Sequence, residues 1–255
     1  MPSTTKLTRA TKIELRDVQK SFNGKQVLQG ITADIKTGET FVILGGSGSG
    51  KSVLLKCILG LIEPTSGQIK VDDLRSDHLA RKERLSLMRK FGMLFQNGAL
   101  FDSLSIWENV AFGLLQDGMK AKDAQEKAMI KLRQVGLTPD VGLLMPDELS
   151  GGMRKRAALA RAICLEPEII FYDEPTTGLD PITADVINDL ILQLQDELGV
   201  TSVVITHNMK SAYKIGNQLA MLIEGKFITT GTPQEFENSN NPYVHQFVNG
   251  LADGP

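Results

Sequence analysis

Short apolar segments and longer amphipathic segments alternate along most of the chain. Residues 12–22 and 26–35 place apolar and polar side chains alternately, which predicts two antiparallel strands. Residues 41–44 are a compact apolar run that leads into glycines, as expected for a buried strand followed by a turn. The apolar residues of 51–62 recur at helical spacing, so a helix is predicted directly after that turn.

The later part of the chain keeps this alternation and adds a long helical stretch. Its predicted helices span 77–90, most of 106–161 with breaks near 118, 136 and 146, and 182–198, and its predicted strands span 68–73, 93–96, 168–175, 201–206, 218–224 and 225–231. Strands and helices that alternate around glycine turns predict an α/β fold with a mainly parallel, helix-covered sheet. We expect an antiparallel β annex beside this sheet and an inserted α-helical subdomain.

The composition is that of a packed globular protein. Of the 255 residues, 42% are hydrophobic and 23% are charged, and the formal net charge of -2 does not favour nucleic acid or an anionic membrane as a partner. Cys57 and Cys164 lie in apolar helical patterns without metal-ligand spacing, so we expect free thiols in a reducing cytosol. No segment reads as a membrane span or a secretory signal, and we expect a soluble protein that stays inside the cell.

A glycine-rich segment between the strand 41–44 and the helix 51–62 carries the first chemical signal. Residues 45–52 read GGSGSGKS and match the G-x-x-x-x-G-K-[ST] pattern of loops that bind nucleotide phosphates. Glycines let main-chain N–H groups turn toward phosphate oxygens, and the following helix start favours the same negative charge. A flexible linker is the alternative, but a linker needs neither flanking element. The predicted ATP ligands of this phosphate loop are Gly45, Gly46, Ser47, Gly48, Ser49, Gly50, Lys51 and Ser52, with Ser52 also on Mg²⁺.

Two adjacent carboxylates follow the apolar residues 169–172. Asp173 and Glu174 lie at the carboxyl end of this predicted strand, where open α/β sheets bind ligands. We expect Asp173 to hold Mg²⁺ and Glu174 to polarise the water that attacks the γ-phosphate. Two acids at a strand end can also be solvated caps, an alternative that the phosphate loop in the same chain disfavours.

Two further polar residues end predicted strands. His207 follows the strand 201–206, and we expect it to hydrogen-bond the γ-phosphate and to orient the attacking water with Glu174, although a lone histidine is more often structural. Gln96 precedes the helical subdomain, where its amide can contact Mg²⁺ or water and move with the subdomain. His78 and His245 are interpreted as surface residues.

A second candidate phosphate site lies far along the chain from the first. Residues 149–153 read LSGGM and precede a predicted helix. Ser150, Gly151 and Gly152 supply a capping hydroxyl, accessible N–H groups and a helix start, which together suit an anion, although an ordinary helix cap has the same residues. A chain with two separate phosphate sites can complete its reaction centre by facing a copy of itself. Each ATP would then contact Lys51 of one copy and Ser150 of the other, with residues 178–180 along the interface.

These motifs, in this order, resemble those of the ABC ATPase family from about residue 12 to residue 237. GGSGSGKS resembles the Walker A loop, Gln96 the Q-loop, LSGGM the signature motif, EIIFYDEP the Walker B strand, TTGLDP the D-loop with Asp180, and THN the H-loop with His207. The resemblance implies a RecA-like P-loop core, ATP and Mg²⁺ as cofactors, and ATP hydrolysis by paired copies. It also implies that Phe22 stacks on adenine, where the family usually has tyrosine. The signature departs from the commoner LSGGQ but keeps the serine and both glycines.

Two segments resemble, more narrowly, the ATPases of MCE-associated lipid transporters. They are FQNGALFDSLSIWENVAFGL and LMPDELSGGMRKRAALARAI. The resemblance implies phospholipid movement between the inner and outer bacterial membranes, with the chain on the cytoplasmic face of the inner membrane. It implies as partners a second copy of the chain, an integral membrane permease, an MCE lipid-binding protein and a STAS-domain protein, and no nucleic acid.

Two alternatives keep the ATPase and change its role. One is the ATPase of an importer for an amino acid or a metal. The other is a non-transport ABC protein acting on DNA or ribosomes, which would need a coiled coil, a second cassette or a basic arm that this sequence lacks. The predicted organisation is a flexible N-terminal tail over 1–11, an ABC ATPase domain over 12–240 with the helical subdomain at about 97–163, and a C-terminal extension over 241–255.

Overall fold

The computed structural model describes residues 9–76 and 79–249. In chain order, the strands are β1 (Thr11–Phe22), β2 (Lys25–Lys36), β3 (Thr40–Leu44), β4 (Ser66–Val71), β5 (Leu74–Arg75), β6 (Phe91–Leu94), β7 (Ile169–Asp173), β8 (Thr201–Thr206), β9 (Gln218–Ile223) and β10 (Lys226–Gly231). The α-helices are α1 (Lys51–Ile58), α2 (Arg81–Met88), α3 (Ile106–Gln116), α4 (Ala121–Gln134), α5 (Gly151–Ala162), α6 (Pro181–Leu198), α7 (Met209–Ile215), α8 (Pro233–Glu237) and α9 (Pro242–Asn249).

The described strands form two sheets. The first has the order β2-β1-β4-β5 with antiparallel neighbours and is the predicted β annex. The second has the order β10-β9-β3-β8-β7-β6, and all its neighbouring pairs are parallel except the hairpin of β9 and β10. This mixed α/β architecture confirms the predicted fold class.

The parallel sheet separates two cores because successive side chains of a strand point to opposite faces. Phe41 and Ile43 of β3 belong to a core shared with the β annex and α1. Val42 and Leu44 of the same strand belong to the other core, where the sheet meets α6 and α7 and where α3, α4 and α5 pack. Strands that are buried on both faces therefore read as continuous apolar runs.

Several predicted boundaries were wrong by a few residues. The helix predicted over 51–62 ends at Ile58, because Gly60 takes a left-handed conformation with φ of 69° and Leu61 turns outward with 58% of its surface exposed. The helix predicted over 77–90 is limited to α2 among the described residues, and the strand predicted over 93–96 is β6, which pairs with β7 from Phe91.

The chain ends differ in how much of them is described. Residues 1–8 of the predicted N-terminal tail and His78 lie outside the described residues, and β1 already begins at Thr11, which pairs with Lys36. In the predicted C-terminal extension, α9 buries Val244 against the core of α6 and α7, His245 is exposed, and residues 250–255 lie outside the described part.

Two sequence expectations concern burial and chemistry. Cys57 and Cys164 are buried free thiols, and burial raises the pKa of each to about 11. Within residues 9–76 and 79–249, none of the helices combines the length and the hydrophobicity needed to cross a bilayer.

Candidate nucleotide-binding site

Four neighbouring strands bring the predicted site residues to one edge of the parallel sheet. In the order β3, β8, β7 and β6, their carboxyl ends lead into the phosphate loop, His207, the Asp173–Glu174 pair and Gln96. Parallel strands have all their carboxyl ends on the same side, so residues as far apart in sequence as Gly45 and His207 meet there. This edge forms a cleft of about 530 Å³, the nucleotide cleft.

The nucleotide cleft contains most of the predicted ligands. It is lined by Gly45, Gly46, Ser47, Gly48, Lys51, Ser52, Gln96, Asp173, Glu174, Ile205 and His207. Ser49 and Gly50 are buried behind the loop and do not line it. Since the Ser49 side chain points inward, any phosphate contact from it is limited to its main chain.

The phosphate loop is held against β9 and the turn that follows. A Cβ on Gly45 would lie 2.3 Å from the Leu222 carbonyl oxygen, so only glycine fits at this position. Gly225 donates its N–H to the Ser49 carbonyl at 3.1 Å. The conformation of the loop is therefore fixed by a strand far away in sequence.

Lys51 directs its ammonium group into this loop. Its Nζ donates to the carbonyls of Gly45 at 2.7 Å and Gly46 at 2.8 Å. Burial lowers the pKa of Lys51, and the nearby Glu174 and Asp173 carboxylates oppose that shift. A cation held at the mouth of the loop, beside two anions, suits the binding of a negatively charged phosphate.

Glu174 and His207 form a hydrogen-bonded pair in the cleft. Nδ1 of His207 lies 2.9 Å from the Glu174 carboxylate, which also accepts a hydrogen bond from the Thr177 hydroxyl at 3.0 Å. An ionised carboxylate can only accept, so in this hydrogen bond Nδ1 of His207 is the donor, which directs Nε2 away from Glu174. Glu174 is 9% exposed and His207 is exposed, so the pair connects a buried carboxylate to the open cleft.

The backbone of Glu174 is strained. Its φ is 49°, in the left-handed region that residues other than glycine rarely adopt. Residues held in this way concentrate at functional sites and persist only where their surroundings fix them. Here the Glu174 N–H donates to the Ile205 carbonyl at 2.9 Å.

The cleft also offers a donor set suited to Mg²⁺. Ser52, Gln96 and Asp173 line it together and provide a hydroxyl, an amide oxygen and a carboxylate. No group of three or more His, Cys, Asp or Glu side chains in the described ranges is arranged as a metal site. Mg²⁺ that accompanies a nucleotide keeps waters and phosphate ligands and needs few protein oxygens, so this small donor set fits it. Burial and the neighbouring Glu174 raise the pKa of Asp173.

The predicted second anion site lies outside the nucleotide cleft. Ser150 is the N-cap of α5, and its hydroxyl oxygen accepts from the Met153 N–H at 3.3 Å. A Cβ on Gly152 would lie 2.6 Å from the Thr183 side chain, so glycine lets α5 begin close to α6. Ser150 and Gly151 are exposed, and neither of them lines the nucleotide cleft that holds the phosphate loop.

Two other predicted ATP ligands also lie outside the cleft. Asp180 is the N-cap of α6, and its carboxylate accepts from the N–H groups of Ile182 and Thr183, both at 3.0 Å, which lowers its pKa together with the Thr183 hydroxyl. Phe22 ends β1 with 42% of its surface exposed, and the Lys20 ammonium lies 4.9 Å from its ring centre. Their predicted contacts with ATP stay predictions.

Sequence reasoning missed two residues at this site. Thr177 binds the Glu174 carboxylate, and its position three residues later in the same turn was the available signal. Lys155 is 5% exposed and donates to the main-chain carbonyls of Gln96 and Glu174. The sequence pattern that could have identified Lys155 is a charged residue on the otherwise apolar face of α5 that also carries Ala158 and Leu159.

Together, the fold and the cleft define a nucleotide-hydrolysing P-loop domain. The family described as ABC transporter matches residues 28–177. The Escherichia coli intermembrane phospholipid transport system ATP-binding protein MlaF is 38% identical over 247 residues, covering 96% of this chain and 91% of its own. The probable ribonucleotide transport ATP-binding protein mkl of Mycobacterium leprae is 39% identical, covering 95% of this chain and 70% of its own.

A solved structure supports the same assignment. A dimeric post-hydrolysis state of the ATP-binding cassette MJ0796, bound to ADP and Pi, matches with a TM-score of 0.79 and 32% identity, covering 87% of this chain and 98% of that chain. The chain belongs to the ABC transporter family. It is the ATP-binding and ATP-hydrolysing subunit of a transporter, in a family whose ATPases dimerise and pair with membrane permeases.

Proposed function

We propose that two copies of this chain close around two Mg²⁺-ATP and drive a permease that moves phospholipid between the inner and outer bacterial membranes. The chain then works at the cytoplasmic face of the inner membrane, with an integral permease, an MCE lipid-binding protein and a STAS-domain protein as partners. The observation that carries the ATP mechanism is the division of the phosphate ligands between the nucleotide cleft and the exposed start of α5.

The residues of the nucleotide cleft divide the chemistry among them. Lys51 exchanges its bonds to the loop carbonyls for the β- and γ-phosphates, with the main-chain N–H groups of the loop around them. Glu174 accepts a hydrogen bond from the attacking water, and His207, held by the same carboxylate, binds the γ-phosphate. When bound by Ser52, Gln96 and Asp173, Mg²⁺ neutralises charge on the phosphates.

The second copy supplies the remaining contacts. Ser150 and the N–H groups of Gly151 and Gly152 bind the γ-phosphate across the interface, where the helix start favours a negative charge. Asp180 and the preceding residues run along the same interface, and Leu179 lies against Gly151. Hydrolysis removes the γ-phosphate contact and lets the two copies separate.

The dependence on a second copy can be tested by diluting the ATPase. We expect the hydrolysis rate per chain to rise with protein concentration and to approach a plateau, because each centre needs Ser150 of a partner. An excess of Glu174→Gln protein should lower the ATP hydrolysis rate of wild-type protein, because wild-type chains then form mixed pairs with the variant. A rate per chain that does not change with dilution, in protein shown to be monomeric by light scattering, would contradict the proposal.

The proposed phospholipid cargo follows from the similarity to MlaF. MlaF is described as part of an intermembrane phospholipid transport system, and 91% of its length aligns with this chain. The mycobacterial relative is described as a ribonucleotide transport protein, which supports a small solute as the alternative cargo. A tagged chain should be purified from native membranes with its partners and reconstituted in vesicles. Phospholipid movement that requires ATP and stops with Glu174→Gln supports the proposal, whereas uptake of a ribonucleotide, amino acid or metal supports the alternative.

An apolar groove offers a contact for the permease. It has a volume of about 430 Å³, lies at the edge strand β6 beside α3 and α5, and is lined by Phe91, Gly92, Met93, Phe95, Ala99, Phe101, Phe112, Arg161, Ala162 and Leu165. Phe95 and Phe101 are each 44% exposed and lie in one groove, and contiguous exposed apolar surface of this kind marks protein contacts. We place a cytoplasmic helix of the permease here.

This contact can be separated from catalysis. Phe101→Asp should release the chain from permease-containing membranes and leave the ATPase activity of the isolated chain within about twofold, since the groove lies outside the nucleotide cleft. Leu143→Asp is a matched control, because Leu143 is also exposed, at 65%, and lies outside the groove. If both variants bind membranes as the wild type does, the groove is not the contact.

A further inference from the structure

Helix α5 carries a buried cation that touches the nucleotide cleft from behind. Lys155 is 5% exposed and lies on the helix face that also carries Ala158 and Leu159. Its ammonium donates to the main-chain carbonyls of Gln96 and of Glu174, the latter at 3.2 Å. One side chain therefore joins α5 to two of the predicted catalytic residues.

A lysine in this position is energetically expensive for the fold. Burial of an ammonium group removes its hydration, and burial accordingly lowers the pKa of Lys155, while the charges of Asp173 and Glu174 oppose that shift. A methionine would occupy a similar volume without the loss of hydration. Packing alone therefore does not account for lysine here, and its hydrogen bonds do.

Both carbonyls belong to segments that need to be held in place. Glu174 has the strained φ of 49°, its N–H is fixed by the Ile205 carbonyl, and Lys155 fixes its carbonyl on the other side. Gln96 begins a tight turn in which Gly98 has φ of 75° and Ala99 has φ of 49°. Such conformations persist only where surrounding contacts over-determine them.

A second cation of α5 binds the same turn. The Arg161 guanidinium donates to the carbonyls of Gly98 and Ala99, both at 2.7 Å. Ser150, the predicted contact to the partner's ATP, is the N-cap of this helix, and five residues of helix separate it from Lys155 by roughly 7.5 Å. A displacement of α5 therefore moves the Gln96 turn, and through Lys155 it acts on Glu174.

We propose that Lys155 is a positioning residue that transmits the engagement of Ser150 with the partner's nucleotide to Gln96 and Glu174. The inference rests on the proposed function, because it needs Ser150 to bind ATP across a pair of copies. In the separated chain Lys155 keeps the catalytic turn attached to α5. When α5 moves on closure, the carbonyls of Gln96 and Glu174 move with it, and hydrolysis becomes competent only in the closed pair.

The first test separates ATP binding from turnover. We expect Lys155→Met to leave the affinity of the isolated chain for ATP within about twofold, because the ligands of the phosphate loop are unchanged, and to lower kcat by about 10- to 100-fold with little change in KM. Arg156→Met is the matched control, since Arg156 is a neighbouring cation of α5 that donates to the Gly136 carbonyl at 2.9 Å, away from the cleft. Arg156→Met should keep kcat within about twofold.

A double-mutant cycle distinguishes positioning from general destabilisation. If Lys155 acts largely through Gln96, Lys155→Met should lower kcat by less than about threefold in a Gln96→Ala background. If Lys155→Met instead caused a general structural defect, the fold-changes in kcat of the two single variants would multiply in the double variant. Where Lys155→Met does not fold, the same measurements are made on Lys155→Gln. The glutamine amide can still donate to the carbonyls, so Lys155→Gln should have a higher kcat than Lys155→Ala.

Two outcomes overturn the inference and can be told apart from a failure of the proposed function. A kcat for Lys155→Met that equals wild type, with Ser150→Ala slowed by about 10-fold, removes the role of Lys155 and keeps the paired mechanism. Multiplicative effects in the double-mutant cycle remove the coupling to Gln96 and overturn the proposal as stated. A fully active Ser150→Ala protein would remove the paired mechanism itself, whatever Lys155 does.

Discussion

The two predicted phosphate sites of this chain differ in how completely one copy builds them. The nucleotide cleft joins the phosphate loop to Asp173, Glu174 and His207 within a single cavity, and Lys51, Glu174 and His207 already have hydrogen-bond partners there. At the start of α5, the Ser150 hydroxyl caps the helix, and both Ser150 and Gly151 lie on an exposed surface.

This difference is physical as well as geometric. An enclosed site can fix charges, strain a backbone and shift pKa values, because its dielectric is low and its neighbours are rigid. An exposed helix start provides a weak anion preference that water and salt screen. We therefore expect the first site to bind ATP in a separated chain, and the second to contribute only once a partner excludes water from it.

Glu174→Gln should show the largest effect of the enclosed site. The amide keeps the size of the side chain but cannot take up a proton, so we expect kcat to fall by about 10²- to 10⁴-fold while ATP binding is preserved. Phosphate release measured beside equilibrium ATP binding checks both statements, and the stalled protein should accumulate as pairs in ATP. Hydrolysis close to the wild-type rate would show that Glu174 does not act on the attacking water.

Lys51→Ala should show the next largest effect, on binding. Loss of charge-assisted hydrogen bonds to phosphate is worth about 1.5–3 kcal/mol, so the Kd for ATP should rise by about 10- to 150-fold even in a separated chain. Lys56→Ala is the matched control, because Lys56 is an exposed cation of α1 that does not line the cleft. Equal Kd values for the two variants would mean that overall charge, rather than the loop, binds ATP.

Ser150→Ala should divide the two sites most clearly. We expect unchanged ATP binding by the separated chain and a fall of about 10-fold in hydrolysis at high protein concentration, because the hydroxyl contacts only the partner's phosphate. Loss of the N-cap should also lower the free energy of unfolding by about 1 kcal/mol. Thr232→Ala, which removes the hydroxyl that caps α8 by accepting from the Glu235 N–H at 3.3 Å, controls for that loss and should leave hydrolysis unaffected.

Much of this comparison could be predicted from sequence because it depends on local patterns. Continuous apolar runs at β3, β7 and β8 identify strands buried on both faces, and the residues after each run must lie at one sheet edge. The glycine loop and the capped start of α5 are likewise local. Asp180 followed by Pro181 also carried the local signal of a helix N-cap, which the functional interpretation of that residue passed over.

The rest depends on contacts between distant segments and could not be predicted. The end of α1 at Ile58 follows from the left-handed Gly60, although the apolar spacing continues to residue 62. The bonds from Lys155 to the carbonyls of Gln96 and Glu174 join residues 59 and 19 positions apart, and only the packing of α5 against β6 and β7 brings them together. The hydrogen bond between Glu174 and His207 similarly requires the exact register of β7 and β8.

The smallest effect we predict concerns stability, and it has opposite signs at the two regions. Burial and Glu174 raise the pKa of Asp173 above its ordinary value of 3.8, so its ionisation opposes folding. That destabilisation is absent below the ordinary pKa and grows as pH rises through the raised value. Asp173→Asn should therefore raise the Tm of the nucleotide-free protein at pH 7, by no more than about 2 °C because the group is half exposed, and raise it less near pH 4.

Asp180, beside the exposed start of α5, provides the contrast. Hydrogen bonds from Thr183 and Ile182 lower its pKa, so its carboxylate stabilises the fold above its ordinary pKa of 3.8 and loses that contribution as pH falls through the lowered value. Asp180→Asn should therefore leave Tm unchanged or slightly lower at pH 7, and this difference should shrink in acid. Thermal unfolding of both variants between pH 4 and pH 7 measures the two signs. If Asp173→Asn lowered Tm at pH 7, the Asp173 carboxylate would stabilise the nucleotide-free protein. Asp173 and Asp180 would then affect stability with the same sign, and the predicted contrast between the cleft and the exposed start of α5 would be wrong.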